Sequence, residues 1–168
     1  MQELKNLTFR HAIIEDLPTI VAIYNSTIPG RMVTADLEPV TAQSREKWFY
    51  DHSPEFRPLW VLEDEGIICG WLSFQWFYGR PAYNATAEVS IYIDEQYRKK
   101  GLGRLMLKKA ISQCAELKIK TLLGFIFGHN QPSLNLFYSF GFENWAHLPA
   151  IAELDGIDRD LIIVGKKI

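Results

Sequence analysis

Only two cysteines occur in the 168 residues, Cys69 and Cys114, far apart and each inside an apolar stretch. That excludes a disulfide framework and a cysteine-based metal pattern, and it reads as two buried, reduced thiols. No run approaches the ~18 apolar residues that mark a membrane span, and the opening MQELKNLTFRH has no signal-like apolar region. A large excess of one charge is missing too. Eighteen Lys and Arg against twenty Asp and Glu leave a net charge of −2, without the basic face expected of a general nucleic-acid binder. Neither repeats, low-complexity tracts nor Pro/Gly/Ser-rich linkers divide the chain. These absences predict a soluble, cytoplasmic protein with one domain over residues 1–168.

What is present is core material, with 48% hydrophobic and 13% aromatic residues. LTFRHAI reads as a first strand. EDLPTIVAIYNST carries Leu17, Ile20, Val21 and Tyr24 at helical spacing, with Pro18 tolerated in the first turn. IPGRMVTADLEPVT has breakers and no period, so it reads as a loop, and AQSREKWFYDH as a second, short helix. RPLWVLED and GIICGWLSFQWFY flank a turn near Glu65-Gly66 as two hairpin strands.

The stretch AYNATAEVSIYID alternates. Tyr83, Ala85, Ala87, Val89, Ile91 and Ile93 fall on one face; Asn84, Thr86, Glu88, Ser90, Tyr92 and Asp94 fall on the other. A period of two predicts a strand with one buried face. Beyond it, Leu102, Leu105, Met106, Ala110, Cys114 and Leu117 predict a helix to about Lys118, followed by the strand KTLLGFIFG. QPSLNLFYSFG reads as a short helix closed near Gly141. Two last strands fall within FENWAHLPAIAELDG and DRDLIIVGKKI. The order β-α-α-β-β-β-α-β-α-β-β predicts an α/β (α+β) domain with a mixed sheet.

QYRKKGLGRLM, between the alternating strand and its following helix, packs four cations around two glycines. A dinucleotide-binding fingerprint is excluded, because its third glycine position is Met106 and no acid ends the next strand. A phosphate-binding Gly-Lys-Ser/Thr ending is absent as well. Two readings remain: a solvated loop before an ordinary helix, or a pyrophosphate cradle. In the second, glycines let the backbone approach an anion, and unpaired N–H groups at the helix start donate to it. Arg98, Lys99 and Arg104 add charge, and Lys108 lies one turn beyond Arg104.

The loop resembles the R/Q-x-x-G-x-G/A acetyl-coenzyme A loop of the GNAT N-acetyltransferases, and the element order is similar to that fold over nearly the whole chain. NQPSLNLFYSFGF resembles the same family's N-x-x-S/A-x-x-L-Y-x-x-x-G-F segment. RPAYNATAEVSIYI resembles the R-x-A-Y-x-x-T-x-E-x-S/T-x-Y stretch of the phosphinothricin and methionine sulfoximine acetyltransferases. There Arg80, Ala82, Tyr83, Thr86, Glu88, Ser90 and Tyr92 all match, seven positions within thirteen residues. IYNSTI and TADLEPVT near the N-terminus are also similar to that branch.

The resemblance implies a mixed, mostly antiparallel sheet of about seven strands flanked by about four helices. It implies acetyl-CoA as cosubstrate, no metal, a small-molecule amine as acceptor and a homodimer. Its cofactor residues would be Ile91, Tyr92 and Ile93 along the strand, then Arg98, Lys99, Lys100, Gly101, Leu102, Gly103 and Arg104 in the loop. Asn130 would bond the pantetheine arm, with Ser133 near the cofactor. Glu88 would be the general base, acting directly or through water, and Tyr92 is grouped with it as catalytic. Such a base contributes on the order of 10²–10⁴-fold. A backbone N–H of the 91–93 stretch would stabilise the oxyanion.

The substrate residues implied are Phe77, Tyr78, Arg80, Tyr83, Glu88, Val89 and Ser90, with Arg80 suited to a bidentate carboxylate contact. Trp76, Thr34, Arg31 and Met32 are further pocket candidates. One position departs from the family. Where it carries Tyr, or His in the herbicide-acetylating branch, this chain has Phe137; Tyr138 follows about 100° further round the helix. The leaving-group acid is therefore unassigned. His129 and His147 read as structural or exposed. Acetylation of another amine, such as a peptide N-terminus or a polyamine, and non-catalytic CoA binding are the competing expectations.

Overall fold

Alternation of apolar and polar residues sets a seven-stranded sheet in the computed structural model, which describes residues 4–168. The strands are β1 (Leu7–His11), β2 (Leu59–Asp64), β3 (Ile67–Trp76), β4 (Thr86–Ile93), β5 (Thr121–Phe127), β6 (Glu143–Leu154) and β7 (Ile157–Lys167). The helices are α1 (Leu17–Asn25), α2 (Ala42–Tyr50), α3 (Leu102–Gln113) and α4 (Gln131–Tyr138). The expected element order and mixed, mostly antiparallel sheet are both present. Spatial order is β1-β2-β3-β4-β5-β7-β6, and among the described residues β4–β5 is the one parallel neighbour pair. No helix is long and apolar enough to cross a membrane among the described residues.

Two hairpin turns follow from local chemistry. Glu65-Gly66 and Asp155-Gly156 all have positive φ, the two-residue turn whose twist matches that of paired strands. Elsewhere the chain departs from simple periodicity. The strand expected from Tyr83 begins at Thr86, because Pro81 opens a 3-10 turn over Pro81–Tyr83. Tyr83 is therefore exposed instead of sharing the buried face of Val89. The helix expected to reach Lys118 ends at Gln113, and Lys118 itself is left-handed, with φ 56°.

The sheet divides two apolar layers. Trp60, Leu62, Cys69, Phe74, Ala87 and Val89 pack against Leu102, Met106, Leu107 and Ala110 of α3 and Leu134 and Phe137 of α4. On the other face Leu59, Val61 and Trp71 pack against Ile20 and Ile23 of α1, with Trp48 of α2 and Tyr92 alongside. Both cysteines are free and buried. Burial pushes their thiols up to about 11 for Cys69 and about 12 for Cys114, which keeps them protonated and unreactive.

The parallel pair is short. Thr86, Ala87 and Glu88 are in register with Thr121, Leu122 and Leu123, and the ladder goes no further, although both strands continue. β5 stays paired with β7 along its whole length. A wedge therefore opens in the middle of the sheet, between the C-terminal halves of β4 and β5.

Candidate active site

Strand parity decides which backbone groups face that wedge. Asp94 donates its N–H to the Cys69 carbonyl at 3.0 Å. With Trp71 opposite Tyr92 and Ser73 opposite Ser90, the backbone groups of Tyr92, Ser90 and Glu88 point to β3. Those of Val89, Ile91 and Ile93 point the other way, into the wedge. Of the three residues expected to pair with a pantetheine arm, Ile91 and Ile93 thus offer their backbone, and Tyr92 does not. The Ile93 carbonyl already accepts from Arg98 Nε at 3.1 Å.

At the open end of the wedge lies the glycine loop. Gly101 precedes α3 with φ 83°, a conformation disfavoured for side-chain-bearing residues, and Lys99 has φ 62°. No side chain caps α3, so the N–H groups of Leu102, Gly103 and Arg104 in its first turn are free of the usual capping acceptor. An anion there would meet three donors and the positive end of a twelve-residue helix. A Cβ on Gly103 would lie 3.0 Å from Leu136 Cδ2 of α4, so this glycine also permits helix–helix contact. Leu102 is buried in the core.

The cations divide. Arg104 donates to Ser139 Oγ at 2.9 Å and lies over the Phe140 ring. Lys100 turns its ammonium over the Tyr97 ring, 4.8 Å from the centroid. Lys99 is exposed. Asn130 is buried and caps α4, its Oδ1 accepting from the Ser133 N–H at 3.3 Å while its Nδ2 donates to the Met32 carbonyl at 2.9 Å. Its amide is thus already committed at both ends, and Ser133 sits half-buried in the first turn of α4.

The polar face of β4 is covered by α1 and α2, not solvated. Glu88, Ser90 and Tyr92 line a cavity of about 160 Å³ with Trp71, Ser73 and Gln75 of β3, Ile20, Val21 and Tyr24 of α1, Val40, and Arg45 and Trp48 of α2. Burial raises the Glu88 carboxyl above its ordinary 4.5, and that carboxylate has no hydrogen-bond or ion-pair partner among the described residues. An unpaired carboxylate in a cavity is free to accept a proton from a ligand. Tyr92 stacks on Trp71 with centroids 4.3 Å apart and lies 5.1 Å from the Tyr24 ring. Burial, with the nearby Tyr24 and Glu88, pushes its phenol well above the usual range; it is a hydrogen-bond donor at neutral pH.

The loop between α1 and α2 roofs this region and is fastened at several points. Asn25 exchanges two hydrogen bonds with the Val40 backbone, at 2.8 and 2.9 Å. Tyr24 bonds both Thr34 and Asp36 through its hydroxyl, and Arg45 reaches Asp36 at 2.7 Å. Arg31 forms a two-pronged ion pair with Asp155 at the β6–β7 turn, and its carbonyl bonds His129 Nε2 at 2.8 Å.

Phe77, Tyr78, Arg80 and Tyr83 stand apart from the Glu88 cavity. The three aromatic rings form a cluster with centroids 5.5–5.9 Å apart in the β3–β4 loop. Tyr78, Arg80 and Tyr83 are exposed. Trp76 is stacked by the Arg57 guanidinium at 4.1 Å. Val89 sends its side chain into the core, so only its backbone edge reaches the wedge. Phe137 is buried edge-on to Phe142, and Gly124 makes room for it: a Cβ there would lie 2.8 Å from its ring. Tyr138 points elsewhere and donates to Asn144 Oδ1 at 2.6 Å. His147 pairs with Asp160 at 2.7 Å on the surface.

Sequence reading passed over Tyr24, Arg45, Trp48, Trp71, Ser73 and Gln75 as cavity walls. The last two carried a signal, being the β3 partners of Ser90 and Glu88 in a hairpin register. Among the described residues no group of three His, Cys, Asp or Glu could hold a metal ion.

Residues 20–142 match the family model described as "Acetyltransferase (GNAT) family". The chain is 55% identical over 163 residues to the "Putative phosphinothricin acetyltransferase YwnH" of Bacillus subtilis (strain 168), covering 96% of this chain and 99% of that protein. It is 28% identical to an L-methionine sulfoximine/L-methionine sulfone acetyltransferase of Pseudomonas aeruginosa, over 92% of this chain and 90% of that one. Among solved structures, yncA of Salmonella typhimurium, determined with its cofactor acetyl-CoA, superposes with a TM-score of 0.88 at 25% identity, covering 96% of this chain and 93% of that one. The chain belongs to the GNAT family of acetyltransferases.

Proposed function

We propose that this GNAT acetyltransferase moves the acetyl group of acetyl-CoA to the α-amino group of a small amino-acid analogue of the phosphinothricin or methionine sulfoximine type. The observation that carries the reading is the unpaired, half-buried Glu88 carboxylate, which lines a small cavity on the strand whose other edge opens into the wedge. Acetyl-CoA supplies an activated thioester carbonyl. The uncapped first turn of α3 and the left-handed Gly101 suit its pyrophosphate, and the backbone of Ile91 and Ile93 suits its amide-bearing arm.

Glu88 accepts the proton that an ammonium must lose before its nitrogen can attack. The wedge-facing N–H groups of β4 donate to the oxygen that gains charge during attack. Trp71, Trp48 and Ile20 keep water from the cavity and hold the amine against Glu88. At about 160 Å³ the cavity is below the roughly 300 Å³ of drug-sized sites, which favours a small acceptor over a peptide chain. The relatives named for phosphinothricin and methionine sulfoximine support the same substrate class.

Thiol release from acetyl-CoA, measured across amino acids, their analogues, polyamines and peptides, tests the proposal. Turnover of amino-acid analogues is expected. Turnover of peptides or polyamines alone would overturn the substrate class.

A further inference from the structure

Beside the carboxylate of Glu88, the cavity wall carries one cation among the described residues, Arg45. We infer that Arg45 is the specificity-determining residue that receives the acceptor's carboxylate inside the Glu88 cavity. The inference rests on the amino-acid reading above and deepens it. Arg45 lies in the first turn and a half of α2, and its Nη2 donates to Asp36 Oδ2 at 2.7 Å. Its guanidinium covers the Tyr24 ring at 5.2 Å. Those two contacts hold the group in place but occupy one of its five N–H donors. Nη1 and Nε have no hydrogen-bond partner among the described residues.

Asp36 does not cancel this receptor. It is not part of the cavity wall, and the same oxygen also accepts the Tyr24 hydroxyl. Asp36 therefore works from behind as an anchor, and the guanidinium is what a ligand meets. An acceptor carrying both ammonium and carboxylate then finds one opposite charge for each, Glu88 for the first and Arg45 for the second. Ile20, Val21, Val40 and the two tryptophans leave an apolar remainder for its side chain. A diamine has no use for Arg45. Arg80 stands in the exposed β3–β4 loop and does not line this cavity.

The test uses pairs of acceptors that differ only by the carboxylate, such as methionine and its decarboxylated amine, or phenylalanine and phenethylamine. The ratio of kcat/KM for acid over decarboxylated partner is measured for the wild type, Arg45→Gln and Arg80→Gln. Loss of a charge-assisted contact predicts that the ratio falls on the order of 30- to 100-fold in Arg45→Gln, mainly through KM. Arg45→Lys is expected to recover part of it, because it keeps the charge without the fork. An equal loss on both members of a pair in Arg45→Gln would mean that Arg45 only supports the loop, and it overturns the assignment. So does a ratio that survives in Arg45→Gln and collapses in Arg80→Gln, which leaves the amino-acid reading standing. A wild type that prefers the decarboxylated partners overturns the amino-acid reading itself.

Discussion

The two faces of β4 are built from alternate residues of one eight-residue strand, yet they do different work. Ala87 and Val89 on one side are sealed against α3 and α4, their side chains enclosed in the core. Glu88, Ser90 and Tyr92 on the other side are covered by α1 and α2, but the cover leaves a hollow and a carboxylate without a partner. A face covered completely stabilises the fold, and a face covered incompletely keeps a reactive group at a raised pKa. The difference is that Glu88 combines partial burial with a carboxylate left open to a cavity, where a ligand can meet it.

Substitution on each face separates the two roles. Glu88→Gln is expected to lower kcat/KM by on the order of 10²–10⁴-fold, measured by thiol release with saturating acetyl-CoA. The same variant should be as stable as the parent or more so. Burial holds the Glu88 carboxyl above its unfolded value of 4.5, so the folded state binds that proton more tightly than the unfolded chain. The group's contribution to stability therefore falls as pH rises from about that value through the raised one. Removing the ionisable group removes that cost, and thermal melts at neutral pH would show it. A variant that loses stability with its activity would mean that Glu88 is a packing residue.

Val89→Ala is the opposite case. It should cost about 1–3 kcal/mol of unfolding free energy in denaturant titrations, because it empties part of a sealed core. Its effect on kcat should be far smaller than that of Glu88→Gln. Gly103→Val tests the neighbouring loop: a roughly tenfold weaker acetyl-CoA affinity by calorimetry, or about 1.4 kcal/mol, is expected. Leu136 must also shift, since it lies 3.0 Å from the added Cβ. The smallest effect is expected of Asn130→Ala. Loss of the α4 cap costs about 1 kcal/mol, seen as a fall of roughly 2–4 °C in Tm, with looser anchoring at Met32.

Much of this was legible in the residues. The period of two identified β4, split its faces and put Glu88 and Val89 on opposite sides, while the glycine pair marked the start of α3 and QPSLNLFYSFG marked α4. What periodicity could not give is which layer covers which face. Leu17, Ile20, Val21 and Tyr24 announce an apolar stripe on α1, but nothing local says that the stripe lies over Glu88. Arg45 is one polar residue among several on α2 until the fold sets it in the cavity wall. The wedge was equally hidden, because β4 and β5 are joined through α3 and their divergence after Glu88 is a long-range property. Tyr83 misled for a local reason: it continues the alternation on paper, but Pro81 turns the chain before β4 begins.

The most direct measurement is the pH dependence of kcat/KM for the wild type and Glu88→Gln with the same amino-acid acceptor. With Glu88 as base, the wild type loses activity as pH falls through a pKa above 4.5, and that acid limb is absent from the residual activity of the variant. An acid limb that persists unchanged in Glu88→Gln, or a variant with wild-type kcat/KM, would contradict the assignment of the base.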